Sequence, residues 1–264
     1  MLAPSKGCSR GRPSLLRDVH SNSYFAPDDR RAERVGDLFA GVAARYDLIN
    51  DIQSLGLHRF WKRRLVRLAR VGRAQRTLDL CCGTGDVTFT LARTGAEAIG
   101  IDFSGAMLAV ARRRVARLGE PARREWGGRV RFIEADALQL PFSESEFDAV
   151  TISYGLRNLA DARRGLAEMW RVAKPGGRLV ILDFGKPANR WWHGVYYAYL
   201  RHLVPVFGRL ACGDAAAYAY ILESLERYAA QEGVSAMLRE LGAMDVRVIN
   251  LIGGAMSIHC AVRH

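Results

Sequence analysis

Apolar residues along this chain keep two rhythms. Between residues 76 and 184, short apolar runs alternate with longer segments whose apolar positions recur every three or four residues. The short runs predict strands near 76–82, 97–103, 130–135, 147–153 and 178–184. The longer segments predict helices near 86–94, 104–118 and 161–173. Strand and helix taking turns imply a parallel sheet covered on both faces. Gly176-Gly177, after Pro175, is a turn signal that opens the fifth strand.

The flanking regions break this alternation. Val35, Leu38, Phe39 and Val42 fall at helical spacing, and Leu57, Trp61, Leu65 and Leu68 form the apolar stripe of a helix over 57–70. Residues 189–227, rich in Trp, Tyr and Leu, read as a helical insert before the sheet resumes. A helix near 233–242 then leads to strands near 244–251 and 256–263, joined by Gly253-Gly254. That short link predicts a hairpin, hence one antiparallel strand at the end of the sheet. The expected organisation is a basic, flexible tail over 1–30 and a single domain over 31–264.

Composition narrows the function classes. With 264 residues, 49% of them hydrophobic, the chain can bury a sizeable core. It lacks the uninterrupted run of about eighteen apolar residues that spans a bilayer, and the N-terminal apolar stretch of a secretory signal. Cys8, Cys81, Cys82, Cys212 and Cys260 have no C-x-x-C spacing, so no metal site and no disulfide framework is expected. A reducing, cytoplasmic setting fits. The net charge of +12 concentrates in two blocks. Residues 59–76 carry eight basic residues and no acid, and 112–131 carry eight arginines against Glu120 and Glu125. Such blocks favour an anionic partner, nucleic acid or a membrane face, or else form a solvated surface.

The chemistry centres on residues 78–86, Leu-Asp-Leu-Cys-Cys-Gly-Thr-Gly-Asp, a strand that runs into a tight Gly-x-Gly turn. Gly83 and Gly85 remove side chains where a ligand must touch backbone, and Asp79, Thr84 and Asp86 place polar groups around the turn. Asp102, ending the next strand, is positioned to accept both hydroxyls of a ribose. A dinucleotide fingerprint needs a third glycine where this chain has Thr88, which favours a nucleoside without phosphates, S-adenosylmethionine. Asp136 follows the third strand, where an acid can accept from an adenine amino group or simply start a turn. Ser153 ends the fourth strand and faces the same crevice.

Three longer motifs carry a family resemblance. Residues 46–61, Tyr-Asp-Leu-Ile-Asn-Asp-Ile-Gln-Ser-Leu-Gly-Leu-His-Arg-Phe-Trp, resemble the first signature of the UbiE/MenG family, the C-methyltransferases of ubiquinone and menaquinone biosynthesis. Residues 171–185, Arg-Val-Ala-Lys-Pro-Gly-Gly-Arg-Leu-Val-Ile-Leu-Asp-Phe-Gly, resemble its second signature, and Ser153-Tyr-Gly-Leu-Arg-Asn158 its S-[FY]-G-[LI]-R-N element. Ile49, Asp183 and Gly185 depart from the usual Met, Glu and Ser, and Asp136 stands where some members have Asn. The resemblance implies the α/β fold of class I S-adenosylmethionine methyltransferases: a Rossmann-like seven-stranded sheet, mostly parallel, with a C-terminal antiparallel hairpin and helices on both faces. It also implies Thr84, Asp102, Asp136, Ala137 and Ser153 as donor contacts, and a polyprenylated quinol as acceptor.

A ring carbon is a poor nucleophile until its neighbouring phenol loses a proton. Arg157 is therefore expected to stabilise the phenolate, since guanidinium stays charged; a salt bridge to a loop carboxylate is the competing expectation. Tyr46 and Asn50 are expected to help cover the donor, and His58 and His259 are candidate proton acceptors. The 57–70 helix has the basic, Trp-bearing form of a segment that lies on an anionic membrane, and Trp191 to Phe207 either line the entrance for a prenyl tail or cap the core. Demethylmenaquinol is the leading acceptor, with a ubiquinone-precursor benzoquinol and small-molecule O-methylation as alternatives. A homo-oligomer is compatible with the sequence. Nucleic-acid amino methylation is disfavoured, because no Pro-Pro-aromatic run follows the fourth strand. A scaffold that binds without turnover is disfavoured by the intact Gly83, Gly85 and Asp102.

Overall fold

The structure, a computed structural model, describes residues 46–204, 206 and 216–264. The tail, the Val35–Val42 pattern, Cys8, Cys212 and Phe207 lie outside the described residues, as do the side chains of Tyr46 and Ile49.

The chain begins its described course with α1 (Tyr46–Ser54) and α2 (Leu57–Ala69). It then enters the alternating region: β1 (Arg76–Leu80), α3 (Asp86–Ala92), β2 (Glu97–Asp102), α4 (Gly105–Ala116), α5 (Glu120–Glu125), β3 (Val130–Glu134), β4 (Phe147–Ser153), α6 (Ala162–Val172) and β5 (Ala173–Phe184). The last third holds α7 (Arg190–Ala198), a π-helical turn (Tyr199–Leu203), α8 (Ala216–Arg227), α9 (Ala230–Glu240), β6 (Arg247–Leu251) and β7 (Met256–Val262). Side-chain caps mark several starts. Ser104 accepts from Met107 N at α4, Asp161 from Arg164 N at α6, and Asn189 from Trp192 N at α7.

The seven strands form one sheet in the order β3-β2-β1-β4-β5-β7-β6. All pairs are parallel except β5–β7 and β6–β7. The antiparallel strand is thus β7, and it lies between β5 and β6 rather than outermost. Alternating strand residues feed two cores. Leu78, Leu80, Val150, Ile152, Leu179 and Ile181 pack with Leu166 and Met169 of α6, Tyr196 of α7 and Leu238 of α9. Ala98, Ala149, Val180 and Leu182 pack with Trp61 and Leu65 of α2 and Phe89 of α3.

Two expectations are corrected here. The stripe of α2 that meets the sheet is His58, Trp61, Lys62, Leu65, Val66 and Ala69, while Leu57 is 43% exposed. The helix is rotated by about one residue from the Leu57-based stripe, because the aliphatic stem of Lys62 is buried with its ammonium on Asp86. Secondly, β5 starts at Ala173, not beyond the Gly176-Gly177 turn: the ladder passes from Phe147↔Ala173 to Ala149↔Arg178, so the turn is a bulge inside the strand.

Candidate donor cavity

The chain runs outward from β1 through β2 to β3 and returns to β4 on the other side of β1, which places a topological switch point between β1 and β4. Ligands of such sheets bind beyond the carboxyl ends of the strands at that point. A cavity enclosing about 930 Å³ of empty space, its open mouth included, lies there. Its walls come from the segments after β1 (Cys81, Gly83), β2 (Asp102, Phe103, Ser104), β3 (Ala135, Asp136, Ala137, Leu138) and β4 (Ser153, Tyr154, Gly155).

The turn after β1 is built around left-handed backbone, with φ of 51° at Cys81, 55° at Gly83 and 89° at Gly85. Asp102 holds it. One carboxylate oxygen accepts from Gly83 N at 2.8 Å, the other from Ser104 N at 2.9 Å. Burial raises the Asp102 pKa, and the backbone donors oppose that shift. Each oxygen keeps a further lone pair for a ligand. Asp136 accepts from Leu138 N at 2.8 Å, so it does start a turn, and it also stands in the cavity wall. Gly155 has a steric cause: a Cβ there would lie 2.5 Å from Cys81 Cβ.

Of the expected donor contacts, Gly83, Asp102, Asp136, Ala137 and Ser153 meet in this cavity, whereas Asp79, Thr84 and Gly85 do not line it. Asp79 is buried beneath the turn, its oxygens taken by Thr88 Oγ1 at 2.7 Å and Thr151 Oγ1 at 2.8 Å. Thr84 is buried, and its carbonyl and hydroxyl accept from Arg114 at 3.0 and 3.2 Å. Gly85 makes room for Phe132, whose Cζ would lie 2.7 Å from a Cβ. Asp86, at the start of α3, is gripped by Lys62 at 3.1 Å and Arg114 at 2.7 Å, and these cations hold its pKa down at about 2. This Lys62–Asp86–Arg114 clamp fixes the turn from behind, and no sequence spacing announces it. Phe103 also stands in the wall, as do Tyr154 and Asn158, which the sequence marks only as parts of a motif and not as donor contacts. The strand-end rule that found Asp102 points equally to Phe103.

The catalytic candidates are placed differently from expectation. Arg157 is absent from the cavity wall. It lies buried, its Nη1 2.9 Å from Asp183 Oδ1 and 2.7 Å from the Tyr154 carbonyl, with its guanidinium 4.5 Å from the centre of the Phe184 ring. The competing expectation of a salt bridge is the one observed, with a partner at the end of β5 rather than in a loop. His58 also lies outside the wall. Ser54 Oγ donates to the Asn50 carbonyl, so it accepts from His58 Nδ1 at 2.8 Å. Burial, reinforced by the Lys62 charge, pushes the His58 pKa down to about 4. His259 is buried on β7, its Nε2 3.0 Å from the Gln231 carbonyl.

The two buried groups behind the cavity predict opposing acid responses. His58, with its folded pKa near 4 against an ordinary 6.5, removes stability as pH falls from 6.5 toward 4. Asp79 is raised to about 6 by burial, against an ordinary 3.8, and adds stability as pH falls from 6 toward 4. Urea unfolding at pH 7, 6 and 5 should therefore show Asp79→Asn losing stability with acid more steeply than wild type, by up to about 1.4 kcal/mol per pH unit. His58→Gln should lose less than wild type. Identical slopes in all three proteins would contradict this.

No Lys, Arg or His appears among the described residues of the cavity wall, although the chain carries a net charge of +12. A pyrophosphate would meet two carboxylates there and no cation. A sulfonium nucleoside meets complementary charge, ribose acceptors and the apolar side chains of Phe103, Met107 and Leu138. A sheet of this order with such a cavity belongs to the class I S-adenosylmethionine-dependent methyltransferases. Solved structures share the fold: a SAM-dependent methyltransferase from Thermotoga maritima superposes with a TM-score of 0.60 at 17% identity, over 86% of this chain and 99% of that one. Phosphoethanolamine N-methyltransferase 2 of Haemonchus contortus, in complex with S-adenosylhomocysteine, superposes at 0.55 and 18% identity, over 75% and 51%.

The model of the ubiE/COQ5 methyltransferase family matches residues 28–263, and the chain belongs to that family. Among its relatives, the ubiquinone/menaquinone biosynthesis C-methyltransferase UbiE of Stutzerimonas stutzeri is 37% identical over 259 residues, covering 95% of this chain and 98% of the relative. The UbiE of Azotobacter vinelandii is 39% identical over 250 residues, covering 92% and 96%.

Proposed function

We propose that this protein methylates a ring carbon of a polyprenylated quinol in ubiquinone or menaquinone biosynthesis, with demethylmenaquinol as the leading acceptor. A benzoquinol precursor of ubiquinone is the second reading, since the relatives' names cover both quinones. The observation that carries the proposal is a cavity whose described lining residues include two carboxylates and no cation, in a chain of this family. S-adenosylmethionine supplies a methyl group already activated by its sulfonium, so the protein's task is alignment, worth about 7–11 kcal/mol at its upper end. Asp102 accepts the ribose hydroxyls, Asp136 accepts from the adenine, and Phe103 and Met107 exclude water. Asn50 of α1 helps to cover the donor. Arg157 acts through position: its ion pair with Asp183 and its bond to the Tyr154 carbonyl fix the turn that walls the cavity.

Incubation with S-adenosylmethionine and reduced demethylmenaquinone, followed by fragmentation mass spectrometry, should find the new methyl on a ring carbon. Methyl on oxygen, or no transfer despite donor binding, would sink the proposal.

Exposed apolar side chains beside arginines support a lipid acceptor. No helix among the described residues is long and apolar enough to cross a bilayer. Leu55 is 88% and Phe60 51% exposed at the corner between α1 and α2, beside the exposed Arg59, Arg63 and Arg67. Trp191 is 76% exposed on α7, and Tyr199 OH donates to the Gln53 carbonyl at 2.8 Å, so the π-helical turn adjoins α1. Apolar tips beside arginines suit the anionic inner leaflet of a membrane, at about 1 kcal/mol per basic residue. Vesicles containing anionic lipid should co-sediment the protein at low salt, and Leu55→Glu with Phe60→Glu should weaken that binding about tenfold or more; equal binding by both proteins rules this face out.

A further inference from the structure

On the sheet face opposite α2 lies a group of polar side chains that the donor cavity does not use. Asp183 of β5 is the cross-strand neighbour of Ser257 on β7, and His259, two residues on, points to the same face. Tyr228, between α8 and α9, belongs to the same buried core and sits within electrostatic reach of both Asp183 and Arg157. His259 likewise feels the Asp183 charge. Tyr228, Ser257 and His259 are 6%, 1% and 1% exposed. Yet Tyr228 OH, Ser257 Oγ and His259 Nδ1 have no hydrogen-bond partner among the described residues. A buried polar atom left unpaired costs about 1–3 kcal/mol, so three of them around one ion pair need a reason.

Their chemistry defines what is missing. The Gln231 carbonyl can only accept, so His259 Nε2 carries the hydrogen and Nδ1 presents a bare lone pair. The other two atoms are hydroxyls, able to donate or accept. Asp183 is already occupied by Arg157 Nη1, Arg157 N and Phe184 N, at 2.9, 3.1 and 2.8 Å, and its charge is balanced by the guanidinium. An anionic ligand would set a second negative charge beside Asp183, and a cation a second positive one beside Arg157. A neutral hydroxyl, able to donate to Nδ1 and to accept from Tyr228 or Ser257, matches the donor and acceptor character of all three atoms.

Location ties this group to methyl transfer. Tyr154, Gly155 and Asn158 of the turn after β4 line the donor cavity, while Arg157 of the same turn reaches Asp183. One turn therefore separates the two places. Tyr196, Leu200 and Val204, from α7 and the π-helical turn, belong to the core that covers the polar group. We infer that Tyr228, Ser257 and His259 form the subsite that binds the hydroxyl of a hydroxyaromatic acceptor. The inference rests on the quinol reading above and adds where the acceptor's polar end is held.

Three variants test it: Tyr228→Phe, Ser257→Ala and His259→Gln. The glutamine can keep the donor to the Gln231 carbonyl while removing the Nδ1 lone pair. The probes are 1,4-dihydroxynaphthalene, kept reduced, and 1,4-dimethoxynaphthalene, which cannot donate. Wild type should bind the diol more tightly than the diether. Each variant should lose about tenfold in diol affinity, with diether and S-adenosylhomocysteine affinities unchanged and Tm equal or higher. Diol affinity within twofold of wild type in all three variants, with Tm raised, overturns the subsite, as does wild type that binds no diol. Methylation of demethylmenaquinol by wild type, with the variants equally active, would remove the subsite and leave the quinol reading standing. Diol binding that the variants weaken, in a protein that methylates no quinol, would do the reverse.

Discussion

Asp102→Ala should lower affinity for S-adenosylhomocysteine by about 100- to 1000-fold in calorimetry. Hydrogen bonds to a charged acceptor contribute about 1.5–3 kcal/mol each, and in the proposed function the carboxylate accepts two from a ribose. Asp102 also orders the Gly83 turn through Gly83 N, so its removal loosens the wall the nucleoside rests on. The carboxylate lies at the cavity, where water can replace it on the two freed N–H groups, so the loss of Tm should be small. An affinity loss below about fivefold would show that the ribose is held elsewhere.

The second large effect is on folding. Asp183 is 1% exposed and Arg157 9%, and they meet at 2.9 Å. Asp183→Ala leaves a guanidinium buried without its counter-charge, which typically costs about 3–5 kcal/mol. Thermal unfolding should drop by about 10 °C for a domain of this size. Adding Arg157→Met removes the stranded charge and should restore most of the loss, because a buried ion pair and a well-packed apolar pair are often close in energy. If Asp183→Ala unfolds within 1 kcal/mol of wild type, the pair is not what holds the Tyr154–Asn158 turn.

These two acids illustrate what could be read in advance. The position of Asp102 at the cavity is legible because it depends on local order alone: an apolar run, an acid at its end and a glycine turn about twenty residues before. The strand positions were legible for the same reason, since each needs only its own apolar run. Asp79 looked equally like a ligand group, yet its fate depends on Thr88 nine residues away and Thr151 seventy-two residues away. In the sequence Thr88 reads only as a missing glycine, while its hydroxyl satisfies that buried acid. Arg157 shows the same limit, since its partner Asp183 is twenty-six residues further on. The rotation of α2 departs from its apolar periodicity because Lys62 counts as polar in any such pattern while its stem packs as a hydrocarbon. Pairings across the sheet and the amphipathic nature of long side chains are what local patterns leave out.

The insertion of β7 between β5 and β6 has a consequence for biogenesis. On the ribosome, β5 emerges about seventy residues ahead of the partner that will hydrogen-bond to it. Until then a nascent chain carries an uncapped, strongly hydrophobic ribbon, Leu179 to Leu182, open to pairing with a neighbouring polysome product. Yield of this enzyme in a heterologous host should therefore respond to translation speed and chaperone supply more than to the stability of the finished molecule.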